Sequence, residues 1–288
     1  MLEAGWERGA RHLGWGLLSL TMLALGRPAQ AQTPSALAEW QYSAGIQLER
    51  LFEPTVPNWE IELGLGAQFS PDSDGLKRYT AEPGPVINVR YQDRFFASTG
   101  EGIGFNLLSF RNFRFGAAIS YDLGRQMHQD GKNLDGLGNI YPAPEAKIFA
   151  SYVPTKSFPI TLRFDARKQI GATDGWIGDF GAYLPGPGSS AKFAWFAGPG
   201  VTFADQRYMQ GYFGVSDQQA ASTNYRRYRA SPGLKSATFG VSADYFIDAH
   251  WLVVANGAVE RLLGSAAQSP ITEVKTQGVA SVAAVYKF

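Results

Sequence analysis

Few residues of this 288-residue chain have the types and spacing that catalysis requires. The chain has no Cys, and His128 and His250 are the His residues beyond the first 31 positions. A Ser or Cys nucleophile needs a neighbouring base, usually a His that a third group holds in place. Neither His shows the His-x-Ser spacing that would put both side chains on one strand face. We therefore predict no catalytic residues, and a hydrolase is the weakest functional hypothesis.

Carboxylates and arginines recur at alternate positions in two segments. Glu60 and Glu62 share one face, as do Arg163, Asp165 and Arg167. A pair of carboxylates can act as general acid and base, whereas mixed charges in a narrow interior pair with each other, because a buried unpaired charge is costly. We favour a structural ion-pair network over a proton-transfer site.

Two other motifs begin like ligand sites but lack a necessary part. Asp72-Ser73-Asp74-Gly75 starts like a calcium loop without the later Glu, so it predicts a turn. Gly100, Gly102 and Gly104 alternate within a predicted strand and do not open a helix, so a phosphate cradle is not expected. The absence of Cys excludes disulfides and Cys-ligated zinc or iron–sulfur sites. We predict no cofactor and no metal.

The elements that position these residues are predicted to be strands. In residues 59–69 every second residue is apolar except for one small position, and the intervening residues are polar or Gly. Residues 113–123, 160–167 and 237–247 repeat this alternation, which only a strand produces. Weaker examples bring the total to twelve: 41–51, 84–92, 94–108, 145–154, 175–184, 190–203, 250–263 and 274–288. No segment after residue 31 shows a sustained helical period.

Two architectures fit this pattern, a water-soluble sandwich and a membrane barrel. The polar faces are rich in Gly, Ala and Ser, which suit a crowded barrel interior better than a solvated sheet. Aromatic residues such as Trp59, Phe69 and Trp251 gather at strand ends, where lipid–water boundaries would lie. We therefore predict an all-β fold, a transmembrane antiparallel up-and-down β-barrel of about twelve strands, within a range of 10–14, in contact with outer-membrane lipid and lipopolysaccharide.

Targeting features support an exported barrel. Residues 1–31 combine Arg8 and Arg11, an apolar run over 13–25 and small residues before Gln32, which is the plan of a cleaved signal peptide. Residues 32–58 then form an N-terminal strand or periplasmic extension, and residues 59–288 form the barrel. With both chain ends in the periplasm, loops 124–144, 204–233 and 264–273 would lie on the cell exterior.

The two remaining features concern partners. The final strand ends at Phe288 with Tyr286 on the same face, which resembles the signal read by the barrel insertion machinery of the Gram-negative outer membrane. Arg226, Arg227 and Arg229 alternate with tyrosines; they form either a solvated loop, which we favour, or a contact for lipopolysaccharide phosphates or glycan. A net charge of +1 gives no nucleic-acid footprint, and the binding residues stay unknown.

Several motifs together are similar to those of the MipA/OmpV family of outer-membrane proteins. They cover residues 59–288 and comprise Tyr121-Asp122-Leu123-Gly124-Arg125, residues 134–140, Tyr208-Met209, residues 212–216, Glu260-Arg261-Leu262-Leu263-Gly264, residues 266–271 and the terminal Tyr286 to Phe288. The resemblance implies a non-enzymatic barrel that serves as a scaffold for murein-synthesising and remodelling enzymes, namely a lytic transglycosylase and a penicillin-binding protein. A small-solute channel or a surface antigen or adhesin is the alternative.

Overall fold

The computed structural model describes residues 58–110, 112–130, 132–155, 157–190 and 192–288. The predicted signal peptide 1–31 and the predicted strand 41–51 lie outside the described residues, as does all but the last residue of the predicted extension 32–58. No helix among the described residues is long and apolar enough to span a bilayer.

The described residues form twelve antiparallel strands that close into a barrel. The barrel closes where β1 pairs with β12, from Glu62 opposite Lys287 to Phe69 opposite Ala280. The strands are β1 (Trp59–Pro71), β2 (Tyr79–Tyr91), β3 (Phe95–Ser98), β4 (Gly102–Phe110), β5 (Phe113–Asp122), β6 (Ala143–Tyr152), β7 (Thr161–Gln169), β8 (Trp176–Pro185), β9 (Phe193–Ala204), β10 (Gly233–Phe246), β11 (Trp251–Leu262) and β12 (Thr276–Lys287).

Side-chain alternation along the strands separates an apolar outer surface from a polar lumen. Large apolar side chains such as Leu65, Ile119 and Phe239 are exposed on the outside. Their polar neighbours in sequence face inward and are buried, as in β7, where Thr161, Arg163 and every second residue to Gln169 are buried. This arrangement confirms the predicted membrane barrel and excludes a sandwich with a dry apolar layer.

Aromatic pairs mark the height of the apolar band. Trp59 lies 4.7 Å from Tyr91 at one end of β1 and β2, and Phe69 stacks on Tyr79 at 5.0 Å at the other end, measured between ring centroids. Ten residues of a strand rise about 33 Å, which at a tilt near 40° spans about 25 Å of bilayer, the height expected of an outer-membrane barrel.

The strand predicted over 94–108 is wrong in one respect, because the chain turns back at 99–101 and forms two short strands, β3 and β4. Gly102 explains the break. Its φ of 84° lies in the left-handed region, and a Cβ there would come within 2.2 Å of the Ile119 carbonyl oxygen. Alternation in the sequence continues across the turn and hides it. The count of twelve is thus reached with a different set of strands.

The long connections all lie at one end of the barrel, opposite the C-terminus. Residues 123–142, 205–232 and 263–275 connect strand pairs there, so the three loops predicted over 124–144, 204–233 and 264–273 share one end of the barrel. These connections contain helices α1 (Gln206–Phe213), α2 (Asp217–Ser222) and α3 (Gly264–Ala267), although the sequence showed no helical period. Helices of four to eight residues are too short to reveal one.

Candidate functional site

Buried charged side chains from the inner strand faces and from the β3–β4 turn line the lumen. Each of the following is at least nine-tenths buried: Glu60, Glu62, Glu101, Arg114, Asp122, Glu145, Lys147, Arg163, Asp165, Arg167, Lys235, Asp244 and Glu260. Acidic and basic groups are both present, as a narrow interior requires if charges are to be compensated. The lumen is therefore the first part of the candidate site.

The ion pairs expected along β7 are present. Arg163 Nη1 lies 3.4 Å from Glu101 Oε1. Arg167 Nε lies 3.2 Å from Asp165 Oδ1, and its Nη2 also pairs with Asp179 on β8. The Arg167 guanidinium thus bridges a carboxylate on β7 and a carboxylate on β8, and it links the two strands inside the lumen.

Glu60 and Glu62 have separate partners. Glu60 Oε1 lies 3.3 Å from Lys287 Nζ, and Glu62 Oε2 accepts a hydrogen bond of 3.2 Å from Asn88 Nδ2. Glu60 is bound to the last strand of the barrel, while Glu62 is bound to β2. The two carboxylates therefore act as parts of the wall network, and the geometry offers no shared proton between them.

The turn at Asp72 to Gly75 also joins this network, a role that the sequence did not predict. Lys235 Nζ pairs with Asp74 and lies 3.3 Å from Glu260 Oε1. Gln277 Nε2 donates to Asp74 at 3.1 Å and to Glu260 at 3.0 Å. These contacts hold the turn at the mouth of the barrel. Among the described residues, no cluster of His, Asp and Glu could hold a metal ion.

Loops and helices at the long-loop end pack into a cap over the mouth. We call the residues 123–142, 205–232 and 263–275 the cap. One apolar cluster joins α1 to the barrel through Tyr208, Met209 and Phe213 against Ile177, Leu262 and Ala266. A second cluster joins all three cap segments to the first turn through Leu76, Leu134, Leu137, Val215 and Ile271. The cap is a packed layer with its own core.

A buried polar contact ties the cap to the lumen. Tyr212 in α1 donates to Asp122 Oδ1 at 2.9 Å, and Gln169 Nε2 donates to Asp122 Oδ2 at 2.5 Å. Arg125 Nη1 donates to the Tyr212 carbonyl oxygen at 2.6 Å. Burial, assisted by the Asp122 charge, raises the pKa of Tyr212 well above 10. The hydroxyl thus stays protonated and available as a donor.

The remaining residues named from the sequence form no common site, and several of them belong to the cap. His128 lies in the cap, whereas His250 lies at the opposite end, where its ring stacks 5.6 Å from Tyr286. Tyr225 and Tyr228 anchor the basic segment by donating to the carbonyl oxygens of Asn133 and Ser265. Arg226, Arg227 and Arg229 are exposed on the cap surface, and Arg227 pairs with Asp217. Gly100 lies in the β3–β4 turn, while Gly102 and Gly104 lie in β4.

Two helix caps could have revealed the cap helices from the sequence. The Asp205 side chain accepts from Tyr208 N, and Ser216 with Gln219 forms a capping box at the start of α2. Ser followed three residues later by Gln is a recognised helix-start pattern. The motifs that resemble the MipA/OmpV family converge on this cap, since residues 121–125, 134–140, 208–216 and 260–271 all contribute to it or border it.

Comparison with known proteins identifies the family. The family model described as MltA-interacting protein MipA matches residues 63–288. The chain belongs to the MipA family. No curated protein matches the sequence. As a MipA-family barrel with an apolar band and aromatic boundaries, it is a protein of the Gram-negative outer membrane.

Solved structures with a similar barrel are distant. An outer-membrane channel from Pseudomonas putida F1 is 12% identical, with a TM-score of 0.43 over 81% of this chain and 97% of that chain. The monoaromatic hydrocarbon channel CymD is 11% identical, with a TM-score of 0.42 over 87% and 93% of the two chains. The toluene transporter TodX of Pseudomonas putida is 12% identical, with a TM-score of 0.36 over 81% and 89%.

Proposed function

We propose that this protein is a non-enzymatic docking protein of the outer membrane that holds murein-synthesising and remodelling enzymes at its periplasmic end. The observation that supports the proposal is the lumen, which is lined by buried, paired charges and covered by a packed cap. A lumen lined in this way beneath a packed cap favours the docking of partners over the passage of solutes. The MltA-interacting family name supports a lytic transglycosylase as the first partner, and a penicillin-binding protein would be the second.

The short turns at the C-terminal end form the proposed docking surface. Barrels of the outer membrane have short periplasmic turns and longer external loops. By this rule the cap faces the cell exterior and Phe288 faces the periplasm. The two longest short-end connections, 153–160 and 186–192, follow β6 and β8 and therefore lie two strands apart. Phe158 in the first of them is 59% exposed and provides an apolar contact for a partner.

Capture of a purified MltA-type lytic transglycosylase by the reconstituted full-length barrel tests the proposal. We expect saturable binding that Phe158→Ser weakens by about tenfold, since a central apolar anchor contributes 1 kcal/mol or more. Tyr141→Ser is the matched control, because Tyr141 is 69% exposed but lies at the cap end. Absence of binding by the unaltered barrel, or equal loss in both variants, would contradict the proposal.

A small-solute channel is the second candidate, and one observation favours it. Ala283, Gly66 and Gly84 lie opposite one another across β12, β1 and β2, and all three lumen-facing positions are only half-buried. This sector of the wall lacks large side chains and could leave an aqueous path beside the ion pairs.

The processing of the chain is also part of the proposal. Removal of residues 1–31 leaves 23 basic and 23 acidic side chains, a neutral exported form. Its last strand presents Phe288 to the insertion machinery before β12 pairs with β1. Mass spectrometry of the protein purified from outer membranes would show an N-terminus at Gln32.

A further inference from the structure

The barrel wall has a gap between β2 and β5 on the side of the cap. β3 pairs with β2 only from Asn88 to Tyr91, and β4 pairs with β5 only from Phe110 back to Ile103. Beyond the 99–101 turn, no described strand pairs with residues 79–86 of β2 on that side. Since β3 and β4 separate β2 from β5, the foot of the gap is about 14 Å wide, three strand spacings.

The gap lies within the apolar band of the membrane. β2 spans the band between its two aromatic pairs, with Tyr79 at the cap end and Tyr91 at the other end. Residues 79–86, which pair with β1 on their other side, therefore occupy about 20 Å of the bilayer height, given a rise of about 3.3 Å per residue and a tilt near 40°. A strand edge without a strand partner among the described residues is unusual at this depth, because hydrocarbon offers no hydrogen bonds.

Prolines remove half of the donors from this edge, both at the end nearer to β3. Alternate residues of an antiparallel strand direct their N–H and C=O groups to opposite neighbours. The Ile87 carbonyl oxygen accepts from Thr99 N at 3.0 Å, so Ala81, Pro83 and Pro85 direct their groups to the same open side. Pro has no N–H, so within 79–86 the edge presents carbonyl acceptors at Tyr79, Ala81, Pro83 and Pro85 but donors at Tyr79 and Ala81 alone. A partner strand could not form a regular ladder here.

The surroundings of this edge are apolar on the outside and open on the inside. Ala81, Pro83, Pro85 and Ile87 are exposed on the lipid side. Lumen-facing Gly84 is half-buried, and a Cβ added there would meet no atom within 4 Å. The opposite wall differs, because each lumen-facing residue of β7 is buried. A ligand in the gap thus meets hydrocarbon, a row of carbonyl acceptors and, on the lumen side, the half-buried Gly84.

From these contacts we infer that the gap is a lateral binding site for a long-chain membrane amphiphile whose head group donates hydrogen bonds. Its alkyl chain lies in the bilayer against the outer face of β2, and its head group enters the gap and donates to the carbonyl oxygens of Ala81, Pro83 and Pro85. The prolines select such a ligand over a protein strand, because at Pro83 and Pro85 the edge offers acceptors without matching donors. This inference does not depend on docking of murein enzymes.

Single cysteines in this Cys-free protein test the gap. We would label full-length Gly84→Cys with bimane, reconstitute it with acyl-brominated phosphatidylcholine and measure quenching. Ala283→Cys is the lumen-facing control in the same row, flanked by paired strands on both sides, and Val282→Cys is the lipid-facing control. We expect quenching at position 84 to approach that at 282 while position 283 is protected. Protection at 84 equal to that at 283 would overturn the inference, whether a second copy or another part of the chain covers the edge.

A pair of ligands with the same chain tests the head group. Monododecanoylglycerol has two hydroxyl donors, and methyl dodecanoate has none. We expect the first to shift the bimane emission at position 84 saturably and to relieve quenching there, with no saturable effect of the second or at position 283. Equal effects of both compounds, or no saturable effect of either, would overturn the assignment of a donor-bearing amphiphile.

Discussion

Arg167 on β7 pairs with two carboxylates in the lumen. Its side chain is 2% exposed and bridges Asp165 and Asp179. Replacing it with Met would leave two carboxylates without their cation, so we expect Arg167→Met to lower the free energy of unfolding by about 3–5 kcal/mol. Urea unfolding in lipid vesicles measures this loss.

Arg227→Met is the control for that experiment. The Arg227–Asp217 pair has a similar geometry, with 3.0 Å between Nε and Oδ1, but the Arg227 side chain is 70% exposed. An exposed pair contributes about 0–1 kcal/mol, so this variant should unfold like the unaltered protein. Equal losses in the two variants would show that burial of the lumen network does not govern stability.

Tyr208 and Tyr212 should give the cap a distinct response to alkaline pH. Burial, followed by the charge of Asp122, raises the pKa of both phenols well above 10. In the unfolded chain they ionise near pH 10, so their contribution to stability is complete below pH 10 and is lost as pH rises toward the folded values.

A spectrophotometric titration of tyrosinate measures this effect. We expect a late-titrating fraction that Tyr212→Phe reduces, and protease cleavage of the cap that increases as this fraction ionises. If all tyrosines titrate together near pH 10 while the cap resists protease, the buried contact between Tyr212 and Asp122 is not the one that holds the cap.

At the scale of elements, the cap helices depend on their end residues. Ser216 accepts from Gln219 N at 3.2 Å, and Gln219 Oε1 accepts from Ser216 N at 2.8 Å. Ser216→Ala should therefore cost about 1 kcal/mol and loosen α2. Hydrogen exchange should speed up in residues 217–222 without a change in β7 or β12. Exchange that is unchanged in α2 would mean that apolar packing alone fixes this helix.

The sequence predicted strands correctly where one face of the strand contacts lipid. It did not predict the elements that pack against other parts of the protein. Residues 59–69 and 113–123 alternate cleanly, because one parity contacts hydrocarbon and the other fills the lumen. The β3–β4 turn was missed because Gly100 and Gly104 keep the period of two across it. α1 was missed because it has only eight residues, and its burial comes from loops distant in sequence.

At the scale of the whole molecule, the sequence predicted a closed barrel with charged residues inside, and it could not predict the gap or the cap. The wall beside Pro83 and Pro85 is left without a neighbouring described strand because β3 ends at Ser98. The alternation of side chains in the sequence does not indicate where β3 ends. Convergence of Leu76, Leu134 and Ile271 likewise depends on three-dimensional packing. The partners of Glu60 and Arg163 were predictable only as opposite charges, because pairing across a barrel depends on register.

The central claim, on which the proposed docking role rests, is that the ion pairs and the cap obstruct passage through the barrel. Single-channel recording of the full-length protein in planar bilayers tests this claim most directly. We expect no steady conductance steps from the unaltered protein, and steps to appear when the helical segment of the cap is removed by deleting residues 206–230. Steady, ion-dependent steps from the unaltered protein would contradict the claim and favour a channel along the row of Ala283, Gly66 and Gly84.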